Sequence, residues 1–250
     1  MKVVILAAGY GTRLLKDLQE AKEEQYAKLA GVPKPLLPIG KLPLISYWVE
    51  ALKASDDTQN IFVVTNELYY RKFKEWAENY PCVQVINDGT SSNEERLGAV
   101  SCLQLAIDRF KIDDHIMVIG GDTLFYEDFH LQRVLEKYEA LHKVDDQANL
   151  VLSYSCKEEE MRKYGILETD ENQKITALLE KPSATDTTSR QADAPISEKD
   201  APGLFLSWLV KRKPVYCHPL FGRFDVGNLE SYIKCNDYFK EKIHIPNYLQ

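Results

Sequence analysis

The sequence predicts an α/β protein with a doubly wound, mostly parallel sheet and a small β-rich part. Short β-branched runs alternate with amphipathic segments through the first two thirds of the chain, which is typical of parallel strands connected by helices. The first apolar run, residues 3–8, ends at Gly9 and Gly11, as a strand buried on both faces ends in a tight turn. A later apolar run ends in two glycines and Asp122. Ligands of such sheets bind at the carboxyl ends of the strands.

The remaining elements follow from the same periodicities. Strands are predicted at residues 61–65, 83–86, 115–119 and 149–155. Helices with one apolar face are predicted at residues 45–52, 97–110 and 131–141. Residues 164–169 and 174–179 predict a hairpin. A loop is expected over 183–202, followed by an amphipathic stretch at 204–210, a strand at 215–218 and a final helix from Leu229.

Composition limits the class of protein. The apolar and charged fractions of the 250 residues are those of an ordinary globule. The net charge of −7 argues against a nucleic-acid partner. The five cysteines are scattered without a C-x-x-C pair, so neither a disulfide framework nor a zinc site is predicted. No leader-like segment or spanning apolar run is evident, so we expect a cytoplasmic protein without a membrane partner.

The loop after the first strand has the residue types of a phosphate site. Glycines at 9 and 11 let the backbone approach a ligand, so that N–H groups can point at phosphate oxygens. Arg13 adds a planar charged fork and Lys34 a mobile point charge. Leu14 stands where the dinucleotide fingerprint has its third glycine. Taken alone, this G-x-G is equally a tight strand-to-helix turn.

Two segments, LAAGYGTRL at 6–14 and PKPLLPI at 33–39, resemble the signature of the sugar-1-phosphate nucleotidyltransferases of the glucose-1-phosphate thymidylyltransferase type. The resemblance implies the Rossmann-like fold of nucleotide-diphospho-sugar transferases. It also implies catalytic roles for Arg13 and Lys34. The nucleotide-binding residues it implies in this loop are Leu6, Ala8, Gly9, Gly11, Thr12 and Arg13.

Three further sets of residues are similar to other parts of that family's site. Asp88, Gly89 and Gly98 match its nucleobase loop, although without the family they form only a loop with a helix-cap candidate. Asp122 and Asp225 match its two magnesium ligands, where a lone aspartate would be a cap or turn residue. The implied sugar-phosphate residues are Tyr164, Gly165, Glu180 and Lys181.

The resemblance implies transfer of a nucleotidyl group from a nucleoside triphosphate to a sugar-1-phosphate, with Mg²⁺ as cofactor and pyrophosphate as the second product. We expect one domain over 1–250, with a nucleotide-binding part at 1–155, an abbreviated sugar-binding part at 156–228 and a C-terminal helix and tail at 229–250. The base, the sugar and a homo-oligomeric state are left open. The charged segment 16–28 is either a solvated helical flap or a lid over the nucleotide.

One departure from the family bears on activity. Residues 183–200 contain no apolar strand of the kind that helps to line the family's sugar pocket. We therefore hypothesise that nucleotide binding survives better than transfer. The alternative function is a non-catalytic or weakly active nucleotide or nucleotide-sugar binding protein. A glycosyltransferase would need a D-x-D-like metal motif, which the segment around Asp122 does not supply.

Overall fold

A computed structural model of the protein describes residues 1–55, 60–125, 129–158, 161, 164–180, 189, 191–193 and 202–241. Lys181 and most of the predicted loop at 183–202 lie outside the described residues. The chain divides into two compact units. Unit 1 contains Met1–Leu124 and the segment that begins at Phe224, and unit 2 contains Phe125–Arg223.

The strands and helices have these bounds. The strands are β1 Lys2–Leu6, β2 Pro38–Ile39, β3 Leu42–Pro43, β4 Asn60–Thr65, β5 Val83–Asn87, β6 Ile116–Gly120, β7 Thr123–Phe125, β8 Asn149–Ser155, β9 Gly165–Thr169, β10 Ile175–Glu180, β11 Gln191–Asp193, β12 Val215–Leu220 and β13 Arg223–Asp225. The helices are α1 Thr12–Glu20, α2 Glu24–Ala27, α3 Leu44–Lys53, α4 Glu67–Ala77, α5 Ala99–Phe110, α6 Leu131–Val144, α7 Pro202–Val210 and α8 Leu229–Glu241.

Unit 1 contains the predicted parallel sheet, with strand order β5-β4-β1-β6 and every neighbouring pair parallel. The inner strands β1 and β4 are mostly apolar because helices cover them: Val4, Phe62 and Val64 pack with Cys102 and Ala106 of α5. Since all four strands run in one direction, the loops that follow them emerge at one edge. The predicted α/β fold class is therefore confirmed.

The C-terminal helix α8 belongs to unit 1 and packs on the β2–β3 hairpin. The Tyr232 hydroxyl donates to the Pro38 carbonyl at 2.9 Å, and the Gly40 N–H donates to Asn236 Oδ1 at 2.9 Å. At the other end of α8, the Leu229 N–H donates to Asp17 Oδ2 of α1 at 3.1 Å. These bonds hold the segment after Asp225 against the first part of the chain.

Unit 2 is built on a five-stranded sheet with order β10-β9-β11-β8-β12. The predicted hairpin is present as the antiparallel pair of β9 and β10, and β12 runs parallel to β8. A core of Leu167, Ile175, Leu206, Val215 and Cys217 lies between this sheet and α7. The unit thus has its own hydrophobic core.

One feature differs from the sequence predictions. The prediction of a strandless loop was wrong at Gln191–Asp193, which form β11 between β8 and β9. Main-chain pairing with a strand on each side holds this segment in the sheet although its sequence has no apolar run. Strand β8 lies in unit 2, where it pairs with β11 and β12.

Within the described part of the chain, no helix is both long and apolar enough to cross a membrane. The five cysteines are free thiols.

Candidate active site

The loop between β1 and α1 is fixed by hydrogen bonds to the neighbouring strand β4. The Ala7 N–H donates to the Val64 carbonyl at 2.8 Å. Just beyond β4, Asn66 Nδ2 donates to the Ala8 carbonyl at 2.9 Å, while its Oδ1 caps α4 by accepting the Tyr69 N–H. Asn66 is fully buried. Its two bonds tie the loop to the start of α4.

Helix α1 begins immediately after this loop. Gly11 has φ +61°, a left-handed conformation that favours glycine, and no side chain caps the helix. The first N–H groups of α1 therefore stay directed out of its end, where a phosphate binds well. Arg13 is exposed in this first turn, and Leu14 is buried at 2% exposure. Leu14 stands at the position where the dinucleotide fingerprint has its third glycine, and its side chain is part of the buried core.

Lys34 lies across the glycine loop and faces a carboxylate. It starts a single 3₁₀ turn, Lys34–Leu36, between the buried prolines 33 and 35. A Cβ on Gly11 would come within 3.3 Å of Lys34 Cγ, so the lysine stem passes directly over the loop. The ammonium Nζ lies 3.7 Å from Asp122 Oδ2. Both predicted residues thus meet beside the proposed phosphate loop.

Asp122 is positioned by the close approach of two backbones. The Gly121 N–H donates to the Leu6 carbonyl at 2.9 Å, and a Cβ on Gly121 would lie only 2.9 Å from that oxygen. Only glycine fits at position 121. Asp122, the next residue, therefore lies beside the end of β1. The Val226 N–H donates to the Asp122 carbonyl at 3.1 Å. Because Val226 directly follows Asp225, this bond brings the backbone of the two aspartates close together.

Asp122 and Asp225 both belong to unit 1, and their carboxylates could supply oxygen ligands to a divalent cation. Among the described residues there is no group of three or more His, Cys, Asp or Glu side chains arranged for a metal ion. A magnesium ion commonly takes only one or two carboxylates, with substrate phosphates and water completing the octahedron. A pair of carboxylates is a donor set of the kind that magnesium uses, whereas zinc sites have three or four protein ligands.

The loop after β5 contains Asp88 and Gly89, and Gly98 stands at the start of α5. Asp88 Oδ1 accepts from the Thr90 N–H at 2.8 Å and from Thr90 Oγ1 at 2.7 Å. The Thr90 hydroxyl also lies 2.9 Å from the hydroxyl of Tyr10, in the glycine loop. The predicted nucleobase loop and the predicted phosphate loop are therefore directly bonded.

Sequence reasoning missed Asn66, Thr90 and Tyr10. A signal for Asn66 was present, because an asparagine between a strand and Glu67 is a typical helix start. No local pattern signals the Tyr10–Thr90 bond, which joins residues 80 positions apart.

The segment 16–28 forms the end of α1 and the short helix α2. Leu14 and Leu18 bury one side of α1, and residues 22–25 are exposed. The part near Asp17 is anchored to α8, and the Tyr26 ring of α2 packs edge-on against Tyr232 of α8 at 6.4 Å, so only residues 22–25 have the exposure expected of a flap.

In unit 2, Gly165 of β9 pairs directly with Glu180 of β10. The described part of Glu180 is its backbone. The Tyr164 ring packs edge-on against Tyr154 at 5.8 Å. The Arg223 guanidinium lies 5.5 Å from the Tyr154 ring and 5.7 Å from the Tyr164 ring. Burial raises the pKa of Tyr154, so that ring remains a neutral partner for the cation.

The fold is that of known nucleotide-sugar enzymes. The structure of an apo UDP-glucose pyrophosphorylase matches 97% of this chain and 98% of its own, with a TM-score of 0.72 and 20% identity. A putative glucose-1-phosphate thymidylyltransferase from Bacillus anthracis matches 96% of each chain, with a TM-score of 0.70 and 22% identity.

The chain belongs to the nucleotidyl transferase family, whose model matches residues 2–242. It is 29% identical over 187 residues to the mannose-1-phosphate guanyltransferase of Candida albicans, covering 73% of this chain and 45% of that protein. It is 27% identical over 196 residues to the bifunctional protein GlmU of Methanococcus maripaludis, covering 78% of this chain and 39% of that protein. The chain therefore spans less than half the length of these relatives.

Proposed function

We propose that the protein transfers a nucleotidyl group from a nucleoside triphosphate to a sugar-1-phosphate. The observation that supports this most is the meeting of Lys34 with both the glycine loop and Asp122. The Lys34 ammonium is thereby held beside the uncapped start of α1 and the carboxylate of Asp122. Such a combination suits a polyphosphate bound together with a metal ion.

The reaction joins two anions, so charge neutralisation and in-line positioning are the main tasks of the protein. An oxygen of the sugar phosphate attacks the α-phosphorus of the triphosphate. The bond from the α-phosphorus to the bridging oxygen breaks, and pyrophosphate leaves with that electron pair. The attacking oxygen is already ionised, so no general base is needed.

In this proposal, Arg13 and Lys34 neutralise the negative charge of different phosphate groups. Arg13, at the first turn of α1, stabilises the charge that develops on the leaving pyrophosphate. Lys34 holds the oxygens around the α-phosphorus, where sugar phosphate and nucleotide meet. The N–H groups of residues 9–13 orient the triphosphate.

Asp122 and Asp225 would hold Mg²⁺, which neutralises phosphate charge when bound. At 3.7 Å, Lys34 Nζ is an ion-pair partner of Asp122 Oδ2 rather than a short hydrogen-bond donor.

In unit 2, we assign the sugar contacts to the residues around the Gly165–Glu180 pair. A carboxylate such as that of Glu180 can accept from two vicinal hydroxyls of a sugar. Tyr164 and Lys181 complete the proposed sugar-phosphate set. The pairing of β11 with β8 and β9 supports a sugar-binding part with a continuous sheet.

Pyrophosphate release tests the proposal directly. We would screen several nucleoside triphosphates against several sugar-1-phosphates with Mg²⁺, and repeat the best pair with EDTA. Transfer predicts release that needs both substrates and that EDTA abolishes. If calorimetry shows that a nucleotide binds but no pair of substrates releases pyrophosphate, transfer is contradicted. That result would favour the alternative, a non-catalytic nucleotide-binding protein.

A further inference from the structure

The backbone that follows Asp225 is held by side chains of two helices. The N–H groups of residues 227 and 228 both donate to Ser231 Oγ of α8, at 3.0 and 3.1 Å. The next N–H, that of Leu229, donates to Asp17 Oδ2 of α1 at 3.1 Å. Successive backbone donors are therefore fixed close behind one of the two proposed metal ligands.

Within α8, the bonds of Ser231 form a capping box. The Ser231 N–H donates to Asn228 Oδ1 at 2.8 Å, and Ser231 Oγ accepts from the Asn228 N–H in return. The first N–H groups of a helix lack acceptors within that helix. For Leu229, Asp17 supplies the acceptor from 212 positions away, and its negative charge also suits a helix start.

The same turn lies against the Asp225 carboxylate. The Gly227 N–H also donates to the Asp225 carbonyl at 2.8 Å. A Cβ on Gly227 would lie 4.0 Å from Asp225 Oδ1, so the carboxylate lies beside this backbone. Between them, the Val226 N–H is bonded to the Asp122 carbonyl. The orientation of the Asp225 side chain therefore depends on where the turn is held.

Helix α1 connects this turn to the glycine loop. The helix begins at Thr12, directly after Gly11, and Leu14 and Leu18 bury one of its sides. A helix rises about 1.5 Å per residue, which places Asp17 about 7–8 Å along the axis from Thr12. Because α1 is regular between these two residues, the position of Asp17 follows that of the glycine loop.

Other contacts hold the body of α8. Tyr232, Cys235 and Asn236 are buried. Tyr232 and Asn236 also bond to the β2–β3 hairpin. Removing the Asp17 bond should therefore loosen the start of α8 and the turn before it, while the rest of the helix stays in place.

On the basis of the proposed function, we propose that Asp17 is a positioning residue for the Asp225 carboxylate. Through α1, it holds this carboxylate in register with the glycine loop, where we place the triphosphate. A group that orients a metal ligand typically changes metal affinity or activity by about 10–100-fold when it is removed. Asp17 acts through Asp225 and not by contact with the substrates.

Binding of Mn²⁺ alone to the full chain tests this role without any transfer. Mn²⁺ takes oxygen ligands as Mg²⁺ does, and the EPR signal of the free ion decreases as the ion binds. We expect Asp17→Ala to weaken Mn²⁺ binding by about tenfold. Asp17→Asn keeps an oxygen for the Leu229 N–H, so its affinity should stay within about threefold of the wild type.

The variants are matched in charge. Asp17→Ala and Asp17→Asn remove the same negative charge, so the difference between them isolates the hydrogen bond. Gln19→Ala, at an exposed position of the same helix, should bind Mn²⁺ as the wild type does. If Asp17→Ala does not fold, Ser231→Ala should weaken Mn²⁺ binding in the same way, because it frees the N–H groups of residues 227 and 228.

Kinetics separate positioning from a merely structural role. In Asp17→Ala, the Mg²⁺ concentration for half-maximal turnover should rise by about tenfold, while kcat at saturating Mg²⁺ approaches the wild-type value. A structural defect would instead lower turnover at every Mg²⁺ concentration, in proportion to the unfolded fraction. Thermal unfolding of the same samples measures that fraction.

The outcomes distinguish the role of Asp17 from the proposed function. Wild-type Mn²⁺ affinity in Asp17→Ala would overturn the positioning role, even if pyrophosphate release showed transfer. An Asp17→Asn variant as weak as Asp17→Ala would overturn the hydrogen bond as the cause. Weakened binding that asparagine restores, without pyrophosphate release from any substrate pair, would support positioning and contradict transfer. Absence of Mn²⁺ binding by the wild-type chain would contradict positioning and leave transfer to the pyrophosphate screen.

Discussion

The Nζ of Lys34 lies 3.7 Å from Oδ2 of Asp122, and its stem crosses Gly11 on the way. Three segments that are distant in sequence are thereby held together within unit 1. Because the lysine stem rests on a glycine, the geometry of this ion pair depends on position 11 having no side chain. The site can therefore be perturbed without removing any charge.

Gly11→Ala should reduce turnover by displacing Lys34. A Cβ at position 11 would meet Lys34 Cγ at 3.3 Å, and the φ of +61° adds strain of about 1–2 kcal/mol. We expect a loss of kcat/KM larger than the loss of stability explains. Steady-state kinetics and denaturant unfolding of the same variant measure the two effects.

Gly31→Ala is the matched control for that experiment. Gly31 has φ +86°, but a Cβ there would meet nothing within 4 Å. Its backbone strain is similar, whereas Lys34 is undisturbed. Equal kinetic losses in the two variants would show that strain alone, and not displacement of Lys34, causes the effect.

Arg13→Ala should lower kcat by about 10³-fold or more, as removal of a transition-state arginine does in phosphoryl transfer. Stability should change little, because Arg13 is exposed at the first turn of α1. Arg71→Ala is a suitable control on α4, where the arginine side chain is 92% exposed. A decrease of kcat below about tenfold would rule out the proposed role of Arg13.

Asn66→Ser should raise the KM for the triphosphate while retaining the helix cap. Serine still offers an oxygen to the Tyr69 N–H, but it is too short to donate to the Ala8 carbonyl. Asn66→Ala removes both bonds and should also destabilise the fold by about 1 kcal/mol. Kinetics and thermal unfolding distinguish the two variants. A wild-type KM in Asn66→Ser would show that this bond does not position the loop.

Gly121→Ala should destabilise unit 1 by about 1–3 kcal/mol, because the new Cβ would lie against backbone that cannot turn aside. The Leu6 carbonyl oxygen would be only 2.9 Å away. Gly9→Ala is the comparison, since a Cβ there would meet nothing within 4 Å. Chemical denaturation measures both. Similar stabilities for the two variants would contradict the close approach of β1 to Gly121.

Much of the fold was predictable because it follows from local patterns. The parallel strands of unit 1 are continuous apolar runs, and β8 of unit 2 begins and ends at the predicted residues. The short strand β11 was missed because Gln191–Asp193 has no apolar run, and its place in the sheet depends on neighbours on both sides. Strand pairing likewise determines that β8 lies in unit 2.

By itself, the sequence determined the class of protein and the types of residue at the expected site. Glycines after a strand, an arginine, a lysine between prolines and two aspartates are local signals of phosphate and metal chemistry. Only the tertiary structure decided the partners: Lys34 with Asp122, Asn66 with Ala8, and Tyr10 with Thr90. Hydrogen bonds and ion pairs between loops depend on which strands lie side by side. Local sequence patterns do not encode that arrangement, even in the glycine loop whose chemistry they predict.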